Sequence, residues 1–288
     1  MKITFKTIPP LLLALICALG ILFSAYGPAE ADETSAQKGA IAEIKARGKL
    51  RIAVFADKPP FGYLDETGAN RGFDIILAKR IVKDLLGNEN AVEWVHVEAA
   101  TRVDYLEADK VDIVFANFTV TEARAKKVDF ALPYMKVALG VVSPDSAPIS
   151  DVSQLKGKKL IVIKGTTAET YFSEQHPDIQ LLKFEEISEA SQAFRAGRGA
   201  ALTQDNTFLF AWAATNPGYT VGISSLGNLD TIAPAVRKGN TELLNWLNGR
   251  LKALGKEKFV RKAYDEALAP IYGNSVNPND LVVEGGKL

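Results

Sequence analysis

The chain alternates short apolar runs with amphipathic stripes of helical spacing. Residues 50–55 and 111–115 are apolar runs of strand length, and residues 92–97 alternate between apolar and polar side chains as a strand does. Residues 102–108 form a helical segment before the run at 111–115. Between the strands at 50–55 and 92–97, Phe73, Leu77, Ile81 and Leu85 recur every four residues and Gly87 follows them, which predicts one helix with one apolar face. This β-α-β-α order predicts a parallel sheet with right-handed crossovers, and therefore an α/β fold.

A second β-α series begins after a loop marked by Pro144, Pro148 and Ser150. Its predicted strands are residues 160–163, 181–184 and 200–202, and its predicted helices are residues 168–174 and 188–196. The segments 221–223 and 232–236 are strand-like returns, and residues 240–267 are predicted to be helical with a break near Gly255. Length alone allows one large or two medium domains.

The stretch from 116 to 124 follows the strand at 111–115 and reads A-N-F-T-V-T-E-A-R. Ligands of open α/β sheets bind at the carboxyl ends of strands, which is where these residues fall. The planar fork of Arg124 matches a carboxylate, so we expect Arg124 to hold the carboxylate of a small molecule. The alternative is an ordinary surface arginine near the start of a helix.

Two further strand ends carry polar groups. Gly165, Thr166 and Thr167 lie before a predicted helix, where free backbone amides form a natural anion site, although the spacing is not that of a P-loop. Asp205 ends another strand and could meet an ammonium group; the alternative is that it caps the helix beginning near Thr207.

Aromatic residues after the first strand are candidates for the wall of a pocket. Residues 57–63 form a predicted loop because Pro59 and Pro60 cannot continue a central strand. Phe61 and Tyr63 lie in this loop, although Phe61 could equally be a core residue.

The overall composition excludes several classes of function. Net charge is 0, with 34 basic and 34 acidic residues, so nucleic acid is not an expected partner. The two histidines, His96 and His176, are far apart, and Cys17 is the single cysteine. The sequence therefore predicts no metal site, no cofactor and no disulfide.

The N-terminus has the pattern of a cleaved secretory signal peptide. Lys2 and Lys6 precede an apolar run at 11–26, and the A-x-A pattern at 29–31 comes before Asp32. Sixteen apolar residues are short of a membrane span, although an anchor or a lipid on Cys17 are the alternatives. Cleavage after Ala31 leaves a mature chain of net charge −1, and the expected location is the periplasm.

A series of short motifs follows in order along the chain. They are G-K-L-R-I-A-V at 48–54, P-F-G-Y at 60–63, G-F-D at 72–74, K-V-D-I at 110–113, T-V-T-E-A-R at 119–124, V-D-F at 128–130, P-Y at 133–134, L-K-G-K at 155–158 and G-T-T at 165–167. In this order they resemble the periplasmic polar amino-acid-binding proteins of ABC importers, solute-binding protein family 3. The resemblance extends from about residue 48 to about residue 267.

The resemblance implies a two-lobed periplasmic binding protein fold of type II, with two parallel-rich sheets joined by two crossover strands. The implied boundaries are residues 32–134 plus 230–288 for lobe 1 and 135–229 for lobe 2. It implies that Arg124 grips the α-carboxylate, with Asn117 and Thr119 beside it. It also implies that Thr166 and Thr167 add donors to the carboxylate and that Asp205 receives the α-ammonium.

Within this family the chain is most similar to the cysteine-binding branch. That judgement rests on the motifs A-N-F-T at 116–119, P-Y-M-K-V-A-L-G-V at 133–141, K-G-T-T-A at 164–168, and D-N-T-x-L-F-A-W at 205–212. We expect Phe55, Phe61, Tyr63 and Tyr134 to form the side-chain pocket, which should reject charged side chains. Lys58 is the exception: if it turns into the pocket, an acidic ligand such as glutamate or aspartate becomes plausible.

The resemblance also implies the partners and the class of activity. The expected partners are an L-amino acid, cysteine first, and the permease subunits of an ABC transporter, with the protein itself a monomer and not an enzyme. The alternative from another class is an exported enzyme like cyclohexadienyl dehydratase, which shares the fold.

Overall fold

The computed structural model describes residues 39–288. The predicted signal peptide, residues 1–31, lies outside the described residues. Within the described part of the chain, no helix is both long enough and apolar enough to cross a membrane.

The strands are short except for two long ones in the second half of the chain. They are β1 (Leu50–Val54), β2 (Asp57–Lys58), β3 (Gly62–Leu64), β4 (Asn70–Arg71), β5 (Val92–His96), β6 (Ile113–Val114), β7 (Val128–Phe130), β8 (Met135–Pro144), β9 (Lys159–Ile163), β10 (Gln180–Phe184), β11 (Ala201–Asp205), β12 (Tyr219–Ile232) and β13 (Ala235–Arg237).

The helices alternate with these strands along most of the chain. They are α1 (Ala40–Arg47), α2 (Phe73–Leu86), α3 (Arg102–Glu107), α4 (Glu122–Ala125), α5 (Thr167–Gln175), α6 (Ile187–Arg195), α7 (Asn206–Thr215), α8 (Thr241–Lys256), α9 (Phe259–Ala267), α10 (Ala269–Tyr272) and α11 (Pro278–Leu281). The observed elements confirm the predicted α/β class, and most predicted boundaries agree within one or two residues.

The first sheet has the strand order β5-β1-β6-β13-β7. Strand β1 pairs in parallel with both β5 and β6, whereas β13 pairs antiparallel with β6 and β7. The centre of this sheet is apolar on both faces, as expected for strands covered by helices, and Ile52, Ala53 and Val54 are fully buried. Helix α2 covers it with the predicted apolar stripe, in which Phe73, Leu77 and Ile81 are buried.

The second sheet has the strand order β10-β9-β11-β8-β12. Strand β9 pairs in parallel with β10 and β11, and β8 pairs antiparallel with β11 and β12. Each sheet thus combines parallel pairs with antiparallel strands at one side. Two sheets, each with its own helices, form the two-lobed architecture expected from the sequence.

The strands β8 and β12 lie beside each other where the chain passes between the sheets. Met135 at the start of β8 is the partner of Ile232 at the end of β12. Ile232 also forms an isolated bridge with Thr119, which belongs to the loop after β6. These contacts put two neighbouring crossover strands next to the polar segment at 116–124. The exact lobe boundaries given above stay a prediction.

Three local features differ from the sequence-based expectations or refine them. Strands β2, β3 and β4 form a small antiparallel sheet where a loop and a turn were expected, because the prolines at 59 and 60 lie between two strands rather than within one. Strand β12 is a single long strand with three register shifts, so it contains the predicted return at 221–223 and also the first residue of the return at 232–236. The end of that second return belongs to β13. The break predicted near Gly255 in the last long helix falls at Glu257 and Lys258, and the φ of Lys258, 52°, is left-handed.

Candidate functional site

A small cavity of about 10 Å³ lies between the two lobes, where polar residues follow the strand ends. Its lining includes most of the predicted site residues: Phe55, Lys58, Asn117, Thr119, Arg124, Thr166, Thr167 and Asp205. It also includes three residues that the sequence analysis did not select: Ala99, Arg102 and Gln204. The structure therefore brings together groups from distant parts of both β-α series.

Arg124 lies in the short helix α4, whose N-cap is Thr121. Its guanidinium donates to the carbonyl oxygen of Thr119 at 2.7 Å and to that of Gly165 at 2.8 Å, so it contacts both lobes. The guanidinium also lies over the ring of Phe118, with 4.8 Å to the centroid. Burial lowers the pKa of Arg124 to about 10, which leaves the side chain charged at neutral pH.

Asp205 ends strand β11 and occupies the N-cap position of α7, but its side chain makes no capping hydrogen bond. The alternative interpretation of Asp205 as a helix cap is therefore not supported. Its carboxylate is 3% exposed and pairs with the ammonium of Lys58, with 3.3 Å between Oδ2 and Nζ. The carboxylate is thus available to a cation inside the cavity.

Lys58 is 2% exposed, an unusual degree of burial for a lysine. Its Nζ donates to Asn117 Oδ1 at 2.6 Å and lies near three phenylalanine rings, with 5.5, 5.8 and 5.7 Å to the centroids of Phe55, Phe61 and Phe208. Burial lowers the pKa of Lys58, and the charge of Asp205 opposes that shift. An uncharged side-chain pocket was expected unless Lys58 turned into it. Lys58 does line the cavity, so the pocket contains a charged side chain.

Asn117 connects the cavity to a buried carboxyl group behind it. Its backbone N–H donates to Asp74 Oδ2 at 2.7 Å, and its φ of 45° lies in the left-handed region that asparagine tolerates better than most residues. The hydroxyl of Tyr134 donates to Asp74 Oδ1 at 2.8 Å. Burial raises the pKa of Asp74 to about 6, against the opposing effect of these hydrogen bonds.

The turn at 165–167 lies opposite Arg124. Thr166 caps α5 by accepting a hydrogen bond from the backbone N–H of Glu169, and its hydroxyl donates to Ile163 O at 2.7 Å. Gly165 has a φ of 72°, and an added Cβ would lie 2.3 Å from Ala100 Cα. Glycine is therefore needed here for both its conformation and the close contact between the lobes.

Arg102 is the main site residue that sequence reasoning missed. It begins α3 and is 3% exposed, with donors directed at the carbonyl oxygens of Ala99, Ala116, Asn117 and Gly165. Burial lowers its pKa, and the neighbouring charge of Arg124 acts in the same direction. Arg102 follows β5 much as Arg124 follows β6, so the signal that selected Arg124 could also have selected it.

Three of the predicted pocket walls lie elsewhere. Phe61 is fully buried, with its ring near Lys58, and Tyr134 is buried with its hydroxyl bonded to Asp74. Tyr63 lines a separate surface cavity together with residues of α2, α9 and α10, such as Ile75 and Phe259. Of the four predicted aromatic walls, only Phe55 lines the small cavity.

One contact between the lobes lies outside the cavity. The carboxylate of Asp57 in β2 accepts hydrogen bonds from the backbone N–H groups of Ile187 and Ser188, at 2.8 and 3.0 Å. These are the first amides of α6, whose own N-cap residue Glu186 makes no side-chain cap. A carboxylate from one lobe thus caps a helix of the other, which stabilises the arrangement in which the lobes are together.

The arrangement suits a small molecule that carries charges of both signs. Burying a zwitterion is costly unless each charge meets an opposite one. Arg124 belongs to the segment after the first sheet's β6, and Asp205 ends a strand of the second sheet, so each lobe contributes one of the two charges. A two-lobed protein with such a cleft belongs to the class of binding proteins that close on a ligand.

Comparison with known proteins identifies the family. Residues 50–269 match the model of the bacterial extracellular solute-binding proteins, family 3. A glutamine-binding protein of Geobacillus stearothermophilus is 37% identical over 195 residues, which is 67% of this chain and 74% of the relative. The chain belongs to the bacterial extracellular solute-binding proteins of family 3, as the motif order had indicated.

Two solved structures are more similar still. The solute receptor for L-cysteine of Neisseria gonorrhoeae is 52% identical, with a TM-score of 0.84 over 85% of this chain and 99% of that one. The cysteine-binding protein of Campylobacter jejuni is 51% identical, with the same TM-score and the same coverage of both chains. These relatives are binding proteins, and their similarity confirms the predicted fold and the predicted branch of the family.

Proposed function

We propose that the protein captures an L-amino acid, cysteine in particular, outside the cytoplasm and delivers it to the permease of an ABC importer. The single observation that carries this proposal is the convergence of Arg124 and Asp205, one from each lobe, on one small cavity. Arg124 takes the α-carboxylate, and Asp205 takes the α-ammonium in place of Lys58.

Similarity to cysteine-binding proteins favours a small ligand side chain. The lobes leave about 10 Å³ between them, roughly the space of one water molecule, so they must separate to admit any amino acid. Family relatives that bind glutamine have a larger side chain to accommodate, whereas the two structures at 51 and 52% identity bind cysteine. The proposed periplasmic location and the proposed action as a monomer follow from the same family and from the predicted signal peptide.

Isothermal titration calorimetry of the purified mature protein tests the proposal. The panel contains L-cysteine under reducing conditions, together with serine, alanine, glutamine, arginine and aspartate. We expect cysteine to bind most tightly, with serine and alanine weaker by about 1–3 kcal/mol, the size of a modest pocket contact. Preference for glutamine or arginine would overturn the cysteine assignment, and turnover of prephenate would overturn the transport function itself.

A further inference from the structure

Two buried amide groups line the cavity with their nitrogen atoms unpaired. Asn117 and Gln204 are 1 and 2% exposed, and among the described residues neither Asn117 Nδ2 nor Gln204 Nε2 has a hydrogen-bond acceptor. The orientation of each amide is set by its oxygen: Asn117 Oδ1 accepts from Lys58 Nζ at 2.6 Å, and Gln204 Oε1 accepts from the backbone N–H of Asp205 at 3.0 Å. Both residues therefore have donors free for a ligand.

The side chains around the cavity carry more positive than negative charge. Among the described residues that line it, Lys58, Arg102 and Arg124 are cations and Asp205 is the one carboxylate. Arg102 is bonded to carbonyl oxygens alone. Asp74 lies one layer behind, and burial raises its pKa to about 6, which limits how much negative charge it adds. Asp230 lies near Arg124 in a neighbouring surface cavity, and burial raises its pKa as well.

A bound zwitterion leaves this imbalance unchanged. Its carboxylate and ammonium cancel each other, and its ammonium competes with Lys58 for Asp205. Lys58 is enclosed by the rings of Phe55, Phe61 and Phe208, which favour a cation but accept no strong hydrogen bond. Lys58 then needs a new anionic partner, because an unpaired buried charge is costly.

We propose that Lys58, Asn117 Nδ2 and Gln204 Nε2 hold the ligand's side chain as an anion, and that cysteine is bound as its thiolate. This inference rests on the proposed cysteine-binding function. On binding, the S–H bond breaks and its proton passes to the buffer, because Lys58 already carries a proton in its pair with Asp205. The negative sulfur then offsets one of the surplus positive charges, and Lys58 distinguishes cysteine from serine and alanine.

The ionisation state of the bound ligand can be measured directly. The probe is L-cysteine labelled with ¹³C at the β-carbon, bound to the wild-type protein at about pH 6.5 with a reductant present. Free cysteine is a thiol at that pH, since the thiol pKa is about 8.5. We expect the β-carbon chemical shift of bound cysteine to equal that of free cysteine above its thiol pKa. A thiol shift would overturn the proposal.

A Lys58→Met variant tests the role of the lysine. We expect its cysteine affinity to fall roughly ten- to a hundredfold, the range for a charged hydrogen bond. Its alanine affinity should not fall, because the ligand's ammonium no longer competes with Lys58 for Asp205. Lys110→Met is the matched control, because Lys110 is an exposed lysine whose Nζ lies 4.8 Å from the centroid of the Tyr105 ring. Equal losses for cysteine and alanine would overturn the proposal.

The remaining outcomes separate this inference from the function on which it rests. If wild-type protein binds another amino acid but not cysteine, the proposed function fails before the ionisation state is in question. If aspartate displaces cysteine at equal concentration, the cysteine assignment is wrong and the proposed function fails, because the donors then receive a carboxylate. The wild-type spectrum needs no variant, so it decides the proposal even if Lys58→Met does not fold.

Discussion

The ammonium of Lys58 lies 3.3 Å from the carboxylate of Asp205, and the two residues come from different lobes. Both side chains are almost fully buried, so this is an ion pair in a region of low dielectric constant. It joins the lobes at the point where we propose that the ligand's ammonium binds. A ligand therefore has to replace this contact, and the ligand's own charges determine how well it does so.

Replacing Arg124 by alanine should abolish useful binding of cysteine. A buried carboxylate without its cation costs on the order of 3–5 kcal/mol, or roughly a factor of a hundred to several thousand in affinity. Calorimetry measures the loss, and Arg198→Ala is the matched control, since Arg198 is an exposed arginine over a phenylalanine ring, 5.4 Å from the centroid of Phe184. A loss below tenfold would mean that Arg124 is not the anchor.

Replacing Asp205 by asparagine should weaken binding nearly as much, because an amide does not neutralise an ammonium group. By the same reasoning, N-acetyl-cysteine should not bind the wild-type protein. Asp230→Asn is a suitable control: Asp230 is a carboxylate near Arg124 that lines a neighbouring surface cavity. Tight binding of N-acetyl-cysteine in the calorimeter would contradict the role proposed for Asp205.

Replacing Asp57 by alanine should weaken binding without removing any group from the cavity. The substitution removes the carboxylate that caps α6 from the other lobe, a contact of about 1 kcal/mol, or roughly fivefold in affinity. Small-angle scattering should show a smaller gain in compactness on adding cysteine. Asp151→Ala is the control, since Asp151 caps a short helix within its own lobe; equal affinities of the Asp57 variant and the wild type would rule out this contact as a determinant of closure.

Asp74 should make folding stability depend on pH. Its pKa is raised from 3.8 to about 6 by burial, so the native state favours the protonated form. Asp74 stabilises the fold most below pH 3.8, and this contribution is lost as the pH rises through about 6. The nearby charges of Lys58 and Arg102 oppose the shift, and the full effect is at most about 3 kcal/mol.

The Asp74→Asn variant isolates this contribution. Asparagine keeps one oxygen acceptor, and the Tyr134 hydroxyl can turn to accept from the new amide. Denaturant unfolding between about pH 4 and 7 should therefore show the variant gaining stability relative to the wild type as the pH rises. Parallel pH profiles of the two proteins would show that Asp74 titrates normally.

The amino-acid sequence by itself determined the α/β class, the family and the two opposite charges of the site. Apolar runs of strand length are buried in a sheet whichever strands they pair with. A polar residue directly after such a run therefore lies at the carboxyl end of a strand. Asp205 occupies such a position, and Arg124 belongs to the polar segment that follows the run at 111–115. For that reason both were selected as candidates from the sequence.

Only the tertiary structure decided which other side chains enter the cavity. Lys58 lies 147 residues from Asp205 along the chain, and nothing local distinguishes it from a lysine exposed to solvent. From the sequence there was no reason to separate Tyr63 from Phe55 as a pocket wall. In the structure Phe55 lines the small cavity, whereas Tyr63, in strand β3, lines a separate surface cavity. Burial and charge pairing depend on packing between distant segments, so the surplus of positive charge in the cavity became visible only once both lobes were in place.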